Sequence, residues 1–247
     1  MSAGGFGGPP FQGPFQRPFE GPPPQPQVEV RNLFPTPVAI TTLPEAASIN
    51  AALKPLILER ERGQASLQHS NLGGWQSSWD FQDWGGPALG RVLDSARLLA
   101  DNLTVDRQGK PARVAWRVNC WANVNRSGEG NEFHTHPGCF WSGTYYVDDG
   151  GIAAGGQGGQ VTPAGPAGAP ANALGGEFEV QDPRGVAPAM YAPKLTFAGR
   201  GGLAAGAAEM ITPRAGMMIL FPSWLQHAVR PYRGGGERIS IAFNLGV

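Results

Sequence analysis

Apolar and polar positions follow three different textures along this chain, and the first has no period at all. Residues 1–27 scatter single Phe residues among Gly, Pro and Gln, which leaves neither a two-residue nor a 3.6-residue face to bury. Proline removes backbone donors, glycine raises the entropy lost on ordering, and no apolar stripe offsets either. A disordered tail follows from that composition, or a docking tail whose Phe-Pro units are anchored by a partner. From Val28 onward periodicity sets in. Val28-Glu29-Val30 and Pro37-Val38-Ala39-Ile40 read as short strands around a Leu33-Phe34-Pro35 turn. Residues 46–62 carry Leu53, Leu56 and Ile57 at helical spacing. Residues 87–103 do the same with Leu89, Val92, Leu93, Ala96 and Leu99, so both segments read as amphipathic helices.

Between the helices, residues 70–79 (SNLGGWQSSW) form a loop dense in glycine and tryptophan. Trp75, Trp79 and Trp84 either cap the core or build a substrate-facing aromatic wall. Beyond the second helix the texture is that of strands. Residues 112–124 alternate, with Val114, Trp116, Val118, Cys120 and Val124 on one face and Arg117, Asn119, Trp121 and Asn123 on the other. That polar face lines a cavity or meets ordinary solvent. Further strands are expected at residues 142–147, 177–184 (a strand ending in a turn), 216–222, 227–229 and 238–244. In the last of these Arg238, Ser240, Ala242 and Asn244 share one face, while Ile239, Ile241 and Phe243 share the other. Short strands following two helices predict a mainly β fold with flanking helices, either a sandwich or an open barrel.

Gly 37 and Pro 24 are unevenly distributed in the 247 residues. They crowd into residues 1–27, into residues 150–176, expected to be a disordered Gly/Ala-rich insertion, and into a looser segment at 199–208. Residues 28–247 are then a single domain carrying that insertion. A formal net charge of +0 and only 15% charged residues offer no basic field, which sets nucleic acid and anionic membrane aside as partners. The chain has no run of about 18 apolar residues and no basic segment leading into an apolar one, so a soluble cytoplasmic protein is expected. Cys120 and Cys139 supply no disulfide framework and read as reduced thiols.

Candidate chemistry concentrates on the histidines. Asn131-Glu132-Phe133-His134-Thr135-His136-Pro137 holds two of the four, at i and i+2, a spacing that points both imidazoles to one face of a strand. A third lies far downstream in Phe221-Pro222-Ser223-Trp224-Leu225-Gln226-His227. Imidazole suits iron, copper, nickel or zinc, and a two- or three-ligand site leaves open positions for chemistry. Against that, a lone His-x-His also arises by chance. Arg238, on a strand with one apolar face, needs an anion, and its planar fork matches a carboxylate, with Ser240 beside it to add a hydroxyl. That anion is a dicarboxylate which also chelates the metal, or else a protein acid.

Taken together and in order, a set of blocks resembles the iron(II)- and 2-oxoglutarate-dependent oxygenases, in particular a bacterial and phage group of them. The blocks are Leu33-Phe34-Pro35-Thr36-Pro37, residues 70–77 (SNLGGWQS), His134-Thr135-His136-Pro137, Ser142-Gly143-Thr144-Tyr145-Tyr146-Val147, Asp182-Pro183-Arg184, residues 221–227 (FPSWLQH) and residues 238–244 (RISIAFN). The resemblance implies a double-stranded β-helix, the jelly roll of cupin-like proteins. It further implies His134 and His227 as iron ligands, Arg238 helped by Ser240 as the anchor of the far carboxylate of 2-oxoglutarate, and Tyr146 as a hydrogen-bonding partner of the same molecule. One position departs from the wider superfamily, which has a carboxylate where this chain has His136. The metal is then held by His134, His136 and His227, or a carboxylate comes from Glu132, the reserve ligand, or from Asp148, Asp149 or Asp182.

The implied activity is that of a dioxygenase using Fe(II), 2-oxoglutarate and O2, hydroxylating a small-molecule or peptide substrate with release of succinate and CO2. Trp75, Trp121, Asn123 and Trp141 are the residues expected to line the substrate pocket. Two other classes stay open: a three-histidine zinc hydrolase or lyase, and a non-catalytic jelly-roll module that recruits a partner through its tail. A homo-oligomer is compatible with every reading.

Overall fold

The computed structural model describes residues 29, 31, 33–155, 161–163, 173–186, 190–198 and 205–247. The tail expectation for residues 1–27, and most of the strand expected at Val28-Glu29-Val30, lie outside the described residues. The chain divides into two units, residues 1–34 and 35–247. In the first, the exposed side chains of Arg31 and Glu29 pair at 2.7 Å. The described helices and strands all belong to the second.

In chain order the strands are β1 (Ala39–Thr42), β2 (Asn71–Leu72), β3 (Trp75–Gln76), β4 (Arg117–Asn125), β5 (Gly130–His134) and β6 (Trp141–Asp149). They continue with β7 (Val161–Pro163), β8 (Phe178–Gln181), β9 (Ala208–Ile211), β10 (Met217–Pro222), β11 (His227–Val229) and β12 (Arg238–Gly246). Two six-stranded sheets result, in the orders β1-β10-β6-β12-β4-β3 and β2-β5-β11-β8-β9-β7. Neighbours within each sheet run antiparallel. From β4 to β6, and again from β9 to β12, successive strands cross from one sheet to the other, the connectivity of a jelly roll.

Sequence alternation explains how one sheet can be covered on both faces. The helices α1 (Ala46–Gly63) and α3 (Gly86–Leu103), the latter preceded by the short α2 (Phe81–Trp84), pack on the outer face of the first sheet. Ile49, Leu53 and Ile57 of α1 and Leu89, Val92 and Ala96 of α3 meet Tyr145, Leu220, Ile241 and Phe243 there. Full burial of a Leu or Ile side chain stabilises by about 1.5–3 kcal/mol, and Leu53 and Ile57 are both completely buried. The inner face holds a second cluster, Tyr146, Met217, Ile219 and Phe221 against Phe178, Val180 and Ile211 of the other sheet. All six residues of β10 are buried because even positions serve one core and odd positions the other.

Several boundaries differ from the sequence reading. The strand expected at residues 112–124 begins at Arg117, since the Trp116 indole donates to Asp101 Oδ1 at 2.7 Å and ties the preceding segment to α3. Leu56 is exposed, because the i, i+4 stripe of α1 runs through Ile49, Leu53 and Ile57 and leaves it to one side. The strand expected at residues 37–40 is β1, two residues later. Residues 70–79 are not simply a loop, for they contain the edge strands β2 and β3. The insertion expected at residues 150–176 carries a 3₁₀ turn at Ile152–Gly155 and the strand β7, while its remaining stretches fall largely outside the described residues. Both cysteines are free, Cys120 inside the core and Cys139 half-buried. No helix of the described residues is long and apolar enough to cross a membrane.

Candidate metal centre

The pairing of β5 with β11 sets His134 directly opposite His227. His227 begins β11 because Pro222 ends β10, and the Pro222–Leu225 turn returns the chain into the other sheet. His136 reaches the same place by a different route than its spacing suggests. β5 ends at His134, so His136 is not on the strand; its backbone N–H donates to Ser223 O at 2.9 Å, which folds the loop over the β10–β11 turn. The Ser223 hydroxyl fixes that turn in its own right by donating to Cys139 O at 2.5 Å.

The three rings converge, with centroids 4.3 Å apart for His134 and His227, 5.0 Å for His134 and His136, and 5.1 Å for His136 and His227. One ring nitrogen from each lies within 4.8 Å of the others. The Nδ1 atoms of His134 and His227 sit 2.7 Å from Glu132 O and 2.8 Å from Leu225 O. A carbonyl only accepts, so both Nδ1 atoms carry the proton and both Nε2 atoms keep a free lone pair. His136 Nε2 and His227 Nε2 are 3.3 Å apart. Two imidazoles bound to one metal at about 2.0–2.1 Å hold their nitrogens roughly 2.8–3.4 Å apart at octahedral or tetrahedral angles. The donor set therefore fits a divalent transition metal, with ring orientation fixed by the carbonyls behind it. Burial, aided by neighbouring imidazoles, pushes His136 down to about 4 and His227 down to about 3, and burial also lowers His134. At neutral pH all three are the uncharged ligand form. Phe178, stacked at 5.0 Å, and Phe221, edge-on at 4.6 Å, close the inner side of His227.

The alternative carboxylates are engaged elsewhere. Glu132 is exposed and outside the histidine group, and it meets His134 only through its backbone carbonyl. Asp148 pairs with Lys54 at 2.7 Å, and Asp149 accepts from the backbone of Gly151 and Ala215. Asp182 accepts from Arg184 and Gly206.

Arg238 opens β12 on the inner face and is 1% exposed. Its Nε donates to Gly176 O and one terminal nitrogen to Asn125 Oδ1, each at 3.1 Å. Burial opposes its charge, whereas the Tyr146 ring beneath it at 5.0 Å, with Glu177 and Asp149, favours it. Glycine is needed at 176, where φ is +77° and a Cβ would sit 3.3 Å from Arg238 Cδ. Tyr146 is fully buried; its hydroxyl lies near Arg238 and Thr144, yet makes no hydrogen bond of good geometry. Ser240, the cross-strand partner of both Asn123 and Tyr146, lies two residues along the same face as Arg238.

The expected substrate-lining residues divide between the two faces. Trp121 reaches the histidines, its ring 5.9 Å from His136, and Asn123 shares its side of β4. Trp75 and Trp141 do not: they belong to the helix-side core, where their indoles donate to Gln64 O and to the Thr104 hydroxyl. Trp84 packs against that same core, whereas Trp79 stacks on Trp121 at 5.8 Å. The sequence reading missed Asn125 and Gly176 beside Arg238; Asn125 continues the Asn119, Trp121, Asn123 alternation by one more step.

The description "Putative 2OG-Fe(II) oxygenase" belongs to a family model that matches residues 119–244, just over half of the chain. No curated protein matches the sequence at a significant level. Solved structures share the fold. A prolyl hydroxylase from Trichoplax adhaerens, in complex with a hypoxia inducible factor peptide fragment, is 13% identical, with 85% of this chain and 83% of that chain covered and a TM-score of 0.54. A Pseudomonas putida prolyl-4-hydroxylase is 15% identical, covering 85% and 92%, at a TM-score of 0.52. HygX from Streptomyces hygroscopicus, with nickel, 2-oxoglutarate and hygromycin B bound, is 13% identical, covering 85% and 83%, at 0.51. The jelly roll, the histidine group and the matched segment lead to one conclusion: this chain belongs to the 2OG-Fe(II) oxygenase family, an oxygenase whose cofactors are Fe(II) and 2-oxoglutarate.

Proposed function

We propose that His134, His136 and His227 hold Fe(II), that Arg238 with Ser240 and Tyr146 binds the far carboxylate of 2-oxoglutarate, and that the reaction hydroxylates a C–H bond of a small-molecule or peptide substrate. The observation that carries this reading is the convergence of three ring nitrogens within 4.8 Å on a chain of this family. With Fe(II) and 2-oxoglutarate bound, the centre supplies oxidising power from O2, converting 2-oxoglutarate to succinate and CO2 while one oxygen atom enters the substrate.

The chain's own residues do the positioning. Carbonyls behind His134 and His227 hold both Nε2 lone pairs toward one point, so little reorganisation accompanies metal binding. Phe178 and Phe221 keep water from the inner side of His227. Arg238, locked by Gly176 and Asn125, offers its remaining N–H groups to a carboxylate, and the Tyr146 hydroxyl is a donor with no good partner among the described residues. Three neutral imidazoles leave the metal one charge more positive than two imidazoles and a carboxylate would. That difference strengthens anion binding at the open positions. A reducing, cytoplasmic setting is the reading that the two free thiols support.

The test is iron-dependent turnover in air. Wild-type protein with Fe(II) should form succinate from 2-oxoglutarate, and His134→Ala and His227→Ala should abolish it. Stoichiometric zinc after native purification, with no succinate formed under any metal, would favour a hydrolase or lyase instead.

A further inference from the structure

Beside the histidines, the inner face of β3 and β4 carries groups that the fold leaves unused. Gln76 and Asn123 are cross-strand partners, 3% and 7% exposed. Neither carboxamide is hydrogen-bonded to another described residue, and neither is sealed from solvent. Buried amides without partners are costly unless something else satisfies them. Two residues from Asn123 on the same face, Trp121 begins an aromatic run. Trp79, 50% exposed, stacks on Trp121 with an interplanar angle of 23°, and Trp121 in turn leans on His136 at 5.9 Å. A track of ring faces thus runs from the surface to the metal centre, with two unpaired amides along its flank. Charge is absent from this track. Asp80, next to Trp79, is already paired with Arg60 at 2.8 Å, and the inward side chains from Asn119 to Asn125 of β4, with Gln76 of β3, are an indole and amides; Arg117 lies at the far end of β4.

Those features define a substrate class. A neutral, proline-rich segment in the polyproline II conformation presents flat pyrrolidine rings to aromatic grooves and keeps every backbone carbonyl free to accept a hydrogen bond. The open face of Trp79, backed by the largely buried Trp121, together with N–H donors from Gln76 and Asn123, complements both properties at once. A polycationic sugar would need carboxylates that this track does not supply. We infer that the aromatic track of Trp79 and Trp121, flanked by Gln76 and Asn123, is the docking groove for a neutral proline-rich peptide substrate. The inference rests on the proposed metal centre, which the track leads into, and names the substrate class for it.

The experiment is a calorimetric titration of anaerobic protein loaded with Fe(II) and 2-oxoglutarate. The probe is an acetylated, amidated peptide of repeated Pro-Pro-Gly units, with a Ser-Ser-Gly peptide of equal length and an aminoglycoside as comparisons. Selective binding of the proline peptide is expected. Trp79→Ala should weaken it by about tenfold or more, Gln76→Leu by a comparable factor, and Trp79→Phe should restore much of the loss. Trp79 is half exposed, so its replacement leaves the core intact, and an unchanged visible band with 2-oxoglutarate confirms a folded, loaded centre. Peptide binding that is equally tight in Trp79→Ala and Gln76→Leu would overturn the inference. So would a wild type that shows the band yet binds only the aminoglycoside, or none of the three. Absence of the band with selective peptide binding retained would remove the metal assignment and leave the groove standing.

Discussion

Replacing Arg238 by Met separates an anchor for a ligand from an anchor for the fold. In the protein without 2-oxoglutarate the guanidinium is 1% exposed and donates to two neutral acceptors, Gly176 O and Asn125 Oδ1, at 3.1 Å each, with Tyr146, Glu177 and Asp149 near enough to favour its charge. Removing it forfeits two charge-assisted hydrogen bonds, about 1.5–3 kcal/mol apiece. It also relieves the burial of a charge, an effective penalty of several kcal/mol. The two nearly cancel, so stability of the ligand-free protein in urea should change by no more than about 1–2 kcal/mol. Binding of 2-oxoglutarate has no such compensation, because the far carboxylate loses a buried, hydrogen-bonded cation. Truncating one side of such a pair costs about 2–5 kcal/mol, a drop in affinity of roughly 30-fold to several thousand-fold. Both quantities can be read on one preparation, stability from the urea midpoint and affinity from competition or calorimetry with 2-oxoglutarate. An Arg238→Met protein that binds 2-oxoglutarate within about threefold of wild type would refute the anchor. A loss of stability beyond about 4 kcal/mol would instead mark Arg238 as a structural element whose ligand role is secondary.

The metal-free protein should lose stability as pH falls below the ordinary histidine value of about 6.5. His227 is held down to about 3 in the folded chain, so between these values the unfolded chain binds a proton that the folded one refuses. At about pH 5 this amounts to roughly 2 kcal/mol from His227, and a His227→Gln protein should show a shallower fall in urea midpoint; equal slopes would contradict the burial argument. Gly176→Ala should both destabilise the protein, by about 1–3 kcal/mol, and weaken 2-oxoglutarate binding, since φ is +77° and the new Cβ meets Ile152 Cδ1 at 2.8 Å. Unchanged affinity in that variant would detach the glycine from the Arg238 cradle. Cys120, with its thiol pushed up to about 12 by burial, should resist iodoacetamide at mildly alkaline pH until denaturant is added. Prompt labelling of Cys120 in the native protein would mean that β4 opens far more readily than its burial suggests.

The sequence made much of the architecture legible and stopped where both faces of a strand are buried. The helical stripe Leu89, Val92, Leu93 and Ala96 stood out because its other side is polar. In β6 seven of the first eight positions leave no contrast between faces, all being buried apart from Asp148 near the end. Parity therefore could not tell that Trp141 and Tyr145 serve the helix-side core while Tyr146 faces the barrel interior. The same ambiguity put Trp75 among the expected pocket residues, although it belongs, like Trp141, to the core under the helices. At the histidines, spacing indicated that His134 and His136 would meet, but for the wrong local reason. β5 ends before His136, and the Ser223 carbonyl, a contact from 87 residues further along the chain, turns the loop back. The pairing of His134 with His227 depends on β5 and β11, far apart in the chain, becoming neighbours in one sheet, which no local pattern carries. Gln76 went unnoticed because β3 is two residues long and sits inside a glycine-rich stretch.

The most direct measurement is the visible absorbance of anaerobic, iron(II)-loaded protein during addition of 2-oxoglutarate, compared between wild type and His227→Ala. The account predicts a metal-to-ligand charge-transfer band that saturates at one 2-oxoglutarate per chain in wild type and is absent in the variant. A band of equal intensity and affinity in His227→Ala would place the iron elsewhere and contradict the three-histidine centre.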